Sequence, residues 1–145
     1  MNNRIFAGTL IFSLAVLFLG TALGQEENSG TDSQIAITNA SFVAPSPEKE
    51  NLNEEWVEIS NDGSSDADLT GWILEDGQNH TYIFPDFGLT AGAKVKIRTG
   101  IGDDTAEDLF WNRSSSIWNN GGDTATLTDA EGNIVSRYPE EAQVA

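Results

Sequence analysis

Hydrophobic positions in this chain come in short runs that alternate with polar ones, and each run ends in Gly, Asn, Asp or Pro. Residues 53–63 read NEEWVEISNDG, 68–77 DLTGWILEDG, 82–87 YIFPDF, 89–111 LTAGAKVKIRTGIGDDTAEDLFW and 117–132 IWNNGGDTATLTDAEG. Alternation of period two is the mark of strands with one buried face. In residues 55–60 it sets Val57 and Ile59 on one face and Trp56 and Glu58 on the other. Further strands are predicted over Gln34–Asn39, Leu69–Glu75, Thr81–Phe84, Val95–Thr99, Leu109–Trp111, Ile117–Trp118, Thr124–Thr128 and Ile134–Tyr138.

The punctuation between them is turn chemistry. Asn61-Asp62-Gly63, Asp76–Asn79, Thr90-Ala91-Gly92, Asn119–Gly122 and Asp129–Gly132 favour the positive φ that tight turns require. Pro45 and Pro47 make residues 44–51 a loop, because two prolines two apart cannot sit inside a ladder. Gly71 beside Trp72 is expected to mark a bulge or a close approach. About eight short strands at turn spacings of about 8–12 residues give an all-β sandwich, mostly antiparallel. No helix is expected in this region.

The first 24 residues differ from the rest. Arg4 precedes an apolar run from Ile5 to Leu19, followed by small residues at Ala22 and Gly24 and by polar Gln25. This is the layout of a secretory signal peptide over 1–24, cleaved after Gly24. The alternative is an uncleaved anchor, since Ile5 to Leu23 is near the shortest length that spans a bilayer. The expected organisation is a polar spacer at 25–33, the sandwich at 34–139 and a tail at 140–145. The expected location is secreted or at the cell surface, with any membrane attachment through the N-terminal segment alone.

Composition narrows the chemistry. With no cysteine, the fold has no disulfide framework and no Cys-ligated metal, so its core must hold it. Seven basic residues against 23 acidic ones give a net charge of −16. Such a surface repels nucleic-acid phosphates and anionic lipid, and favours cationic partners or divalent ions.

On these residues the chain resembles the lamin tail domain. The ordered set is Glu55–Ile59 with Asn61, Asp68–Trp72 with Leu74 and Asp76, Phe84-Pro85, Leu89 and Ala91-Gly92. Thr99–Asp103, Asp108–Trp111 and Trp118–Leu127 continue it. The resemblance covers about residues 34–139 and implies an immunoglobulin-like β-sandwich acting as a non-catalytic module, carried in prokaryotes by exported or cell-surface proteins. The chain lacks the basic flanks of nuclear lamin tails, so their nuclear roles are not implied.

No catalytic residue is expected. His80 is the only histidine, lies in a turn context and has no strained nucleophile turn nearby. Glu54/Glu55 and Glu140/Glu141 read as solvated edge and tail carboxylates. Gly100-Ile101-Gly102 leads into acids rather than a phosphate-binding lysine. The candidate binding residues are Trp111, Arg113 and Trp118, two tryptophans flanking a polar loop. No cofactor is expected unless Ca²⁺ binds the acidic loop through Asp103, Asp104 and Asp108, whose hard oxygens suit that ion. Two functional expectations follow. One is a module that binds a protein or cell-envelope component through end loops or by strand addition at a sheet edge. The other is a calcium-dependent carbohydrate- or surface-binding domain built on loop 103–108. Asn39, Asn79 and Asn112 each open a glycosylation sequon.

Overall fold

The computed structural model describes residues 32–141. The leader at 1–24, most of the spacer at 25–33 and the end of the tail at 140–145 lie outside the described residues.

Among the described residues ten short strands form: β1 (Ile35–Ser41), β2 (Trp56–Asn61), β3 (Ala67–Asp68), β4 (Ile73–Glu75), β5 (Thr81–Ile83), β6 (Gly88–Leu89), β7 (Lys94–Arg98), β8 (Asp108–Phe110), β9 (Ala125–Thr128) and β10 (Ile134–Tyr138). One sheet runs β1-β2-β7-β8, the other β10-β9-β4-β5, and β3 pairs with β6. Every pairing is antiparallel except β7 with β8.

The alternation in the sequence decides which side chains meet. Val57, Ile59, Val95, Ile97 and Leu109 point inward from the first sheet, and Leu74, Tyr82, Ala125 and Leu127 from the second. All are buried, and each large one contributes about 1.5–3 kcal/mol of burial free energy. Leu69, Phe84, Phe87 and Leu89 extend the core around the β3–β6 pair. Fully buried Asn61 fastens this region, donating from Nδ2 to the carbonyls of Ser65 (2.8 Å) and Leu89 (3.0 Å).

Several expectations need correction. Of the strand expected over Leu69–Glu75 only its end, β4, forms; residues 69–72 are a turn that separates β4 from β3. Trp72 N–H closes that turn on Leu69 C=O at 3.0 Å. Gly71 stands in it at φ +76°, a left-handed conformation open to glycine, and so makes a turn rather than a bulge. Ile117–Trp118 is not a strand; both residues are buried, and their backbone N–H groups go to a side chain. Loop 44–51 contains one 3-10 turn, Glu48–Glu50, and leads into a second, Leu52–Glu54. The bulges lie elsewhere, in β1 between Ile37 and Asn39 and in β10 between Ile134 and Ser136.

Candidate functional site

The residues singled out for binding lie where the segment after β8 crosses the end of the sandwich. Trp111 N–H donates to Arg98 C=O at 2.8 Å, Asn112 N–H to Gly100 C=O at 3.0 Å and Arg113 N–H to Thr99 C=O at 2.9 Å. Asn112 takes φ 59°, which an asparagine tolerates better than most side chains. The chain then turns inward at Ile117 and Trp118.

That turn is held by Glu55. Period two puts Glu55 on the same face as Val57 and Ile59, and its side chain is fully buried at 0% exposure. Its Oε1 accepts the N–H of Ile117 at 3.0 Å and the N–H of Trp118. Its own carbonyl accepts Thr99 N–H at 3.0 Å, so this one residue, just before β2, holds both the segment after β7 and the turn at Ile117 and Trp118. Desolvation lifts the pKa of this carboxyl, the two N–H bonds oppose the lift, and the charge of Glu48 adds to it. The expectation that Glu55 is a solvated edge residue is therefore corrected: its parity with the core positions was the signal.

Trp118 is only 3% exposed. It stacks on Phe42 at 5.0 Å between centroids and meets the edge of Trp111 at 6.0 Å. Trp111 is half-buried and also touches Tyr82 at 5.8 Å. The two tryptophans are thus brought together, but into the packing of the sandwich rather than onto an open platform. Arg113 stays exposed beside a shallow groove of about 390 Å³ that also includes Lys49, Asn53 and Ile101. Trp56, on the outer face, lies 4.1 Å beneath the Lys96 ammonium, a cation–π contact.

In the acidic loop the carboxylates are engaged singly. Asp108 Oδ1 accepts Arg98 Nε–H at 2.6 Å, and Asp104 Oδ1 accepts the N–H of Phe110 at 2.9 Å. Thr105 joins in: its N–H donates to Asp108 C=O at 2.8 Å and its Oγ1 accepts Asp108 N–H at 3.0 Å. Asp103 is exposed. Among the described residues, no three His, Cys, Asp or Glu side chains gather closely enough to hold a metal ion. The residues of this loop converge on the outer edge of β8.

His80 has one partner of note. Its Nδ1 lies 2.6 Å from Oδ2 of buried Asp76, whose Oδ1 accepts the N–H groups of Gln78 (3.0 Å) and His80 (2.7 Å). This carboxylate closes the β4–β5 turn. Among the described residues, no hydroxyl bonds to the imidazole, so a nucleophile for an Asp-His pair is missing there.

A family model described as Lamin Tail Domain matches residues 27–141. No curated protein matches the chain.

Proposed function

The chain belongs to the lamin tail domain family, a family of non-catalytic immunoglobulin-like domains, and on that footing we propose that it is an exported module that binds a protein or a cell-surface component. The observation that carries the proposal is the use made of the acids. Glu55, Asp76, Asp104 and Asp108 each hold a backbone N–H or a guanidinium of the fold, so these four carboxylates serve the structure rather than standing ready as a general acid or base. Export rests on the signal-like N-terminal segment, and the net charge of −16 favours a basic partner.

The calcium-dependent alternative would draw on Asp103, Asp104 and Asp108. It finds less support, because the engagement of two of these carboxylates with Phe110 N–H and Arg98 must be given up for an ion to bind.

The proposal is tested by affinity capture from solubilised cell envelope under low and high salt, alongside assays for phosphodiester, ester and glycan hydrolysis. A saturable, salt-sensitive partner without turnover is the expected result. Hydrolysis that disappears in Asp76→Asn or His80→Ala would overturn it.

A further inference from the structure

The four outer strands of the two sheets do not end alike. An outer strand presents unpaired N–H and C=O groups, and folded proteins usually blunt them. On one side of the sandwich β1 and β10 lie beside each other, and both are bulged. Ser136 Oγ accepts the outward N–H of Ile37 at 3.0 Å, and Asn39 Oδ1 accepts that of Ala40 at 2.9 Å. On the other side, β8 is covered by the acidic loop: Thr105 takes both the N–H and the C=O of Asp108, and Asp104 takes the N–H of Phe110.

β5 is the exception. Asp76 N–H donates to His80 C=O at 3.2 Å and Phe84 N–H to Trp72 C=O at 2.9 Å. These bonds fix the phase of the ladder, so His80, Tyr82 and Phe84 face β4 and the intervening Thr81 and Ile83 turn their N–H and C=O outward. Among the described residues, no hydrogen bond outside the ladder reaches either residue. Ile83 is 63% exposed. It ends a row across the outer face of the sheet, Ile134–Thr128–Ile73–Ile83, in direct cross-strand register.

The charge around this edge is of one sign. Glu75 stands opposite Thr81, and Asp86 follows the strand. A groove of about 460 Å³ opens between residues 85–88 and 104–106, bordered by Asp86 and Asp104 and by no cation.

We propose that the outer edge of β5 is the contact strand of this module, and that it accepts an extended segment of a partner protein bearing lysine or arginine at alternate positions. The proposal rests on the interaction-module reading above and names its surface. Backbone groups of Thr81 and Ile83 supply the ladder, Ile83 offers apolar contact to one face of the added strand, and Asp86 and Asp104 on the adjoining groove select the charge on the other. A second copy of this chain is disfavoured as occupant by its net charge of −16.

The test uses the full chain and a fluorescein-labelled peptide of alternating lysine and valine, with an alternating glutamate and valine peptide as counterpart. Binding is followed by anisotropy, and amide hydrogen exchange reports where the peptide lies. The lysine peptide is expected to bind, to slow exchange at Thr81 and Ile83, and to release with salt; the glutamate peptide is not. Thr81→Pro removes one outward donor, and Ile83→Lys places a like charge on the edge. Each is expected to weaken binding about tenfold, the equivalent of roughly one hydrogen bond or one charge contact. Ile83→Lys alters only an exposed side chain, so it decides the matter if Thr81→Pro fails to fold. The proposal is overturned if the lysine peptide does not bind, if both variants bind as the unaltered chain does, or if the glutamate peptide binds equally. It is also overturned if the chain is a dimer that Ile83→Lys dissociates, since a second copy then fills the edge. If any of these occurs while envelope capture persists in Ile83→Lys, the interaction-module reading stands on another surface. If capture is absent and hydrolysis is found, that broader reading fails.

Discussion

Replacing Glu55 is the sharpest probe of how the loop after β8 is held. Its carboxylate is fully buried, and Oε1 alone accepts the N–H groups of Ile117 and Trp118. Glu55→Ala leaves both donors buried without an acceptor, at about 1–3 kcal/mol each, so a loss of about 3–5 kcal/mol is expected. That is a large share of the roughly 5–15 kcal/mol that holds a domain. Glu55→Gln keeps a carbonyl oxygen for the two donors and removes a buried negative charge, so its loss at neutral pH is expected to stay below about 1 kcal/mol. The pH dependence separates the two effects. Burial raises the folded pKa above the ordinary 4.5, so the folded state keeps its proton where the unfolded chain has released it. Stability from this group is therefore greatest below 4.5 and falls as pH rises through the folded value. Urea unfolding followed by tryptophan fluorescence, at acid and neutral pH, reads all three proteins. A loss below about 1 kcal/mol in Glu55→Ala would refute the reasoning, as would Glu55→Gln falling as far as Glu55→Ala.

Other outcomes follow from the same geometry. Trp118→Ala empties a core position and is expected to cost about 3–5 kcal/mol, whereas Arg113→Ala on the surface stays within about 0.5 kcal/mol; equal effects in denaturant melts would contradict this. Millimolar Ca²⁺ is expected to raise the melting temperature no more than NaCl of matched ionic strength, because a ligand of the native state must compete with Arg98 and Phe110 N–H for Asp108 and Asp104. Asp68 and Asp129 are held below the ordinary carboxylate pKa of 3.8 by hydrogen bonds from Thr70 and Asn133. Their contribution is present above that value and lost as pH falls through the lowered one, opposite in sign to Glu55; carbon-detected NMR titration of the two carboxyls checks it.

Much of the fold was legible in the sequence because strand parity and turn chemistry are local. Val57, Ile59, Val95 and Ile97 went inward as their alternation required, and Asp129–Gly132 joined β9 to β10 as a turn. The failures share one cause, which is that a partner far along the chain decided the outcome. Ile117–Trp118 has strand-like residues, but Glu55, 62 and 63 positions away, takes their N–H groups. Glu55 itself could have been found by following the two-residue period one step back from Val57, against the expectation that a glutamate stays in water. Trp111 and Trp118 flank a polar loop in the sequence; that Trp118 packs against Phe42, 76 positions away, is revealed by no short-range pattern.

Loop and side-chain caps close the other outer strands of this sandwich and, among the described residues, leave the edge of β5 free. Native-state hydrogen exchange on the full chain without any added peptide tests it most directly. The amides of Ile37, Ala40, Asp108 and Phe110, which have Ser136, Asn39, Thr105 and Asp104 as acceptors, are expected to exchange slowly, and those of Thr81 and Ile83 fast. Slow exchange at Thr81 and Ile83, or exchange at Asp108 and Phe110 as fast as theirs, would contradict it.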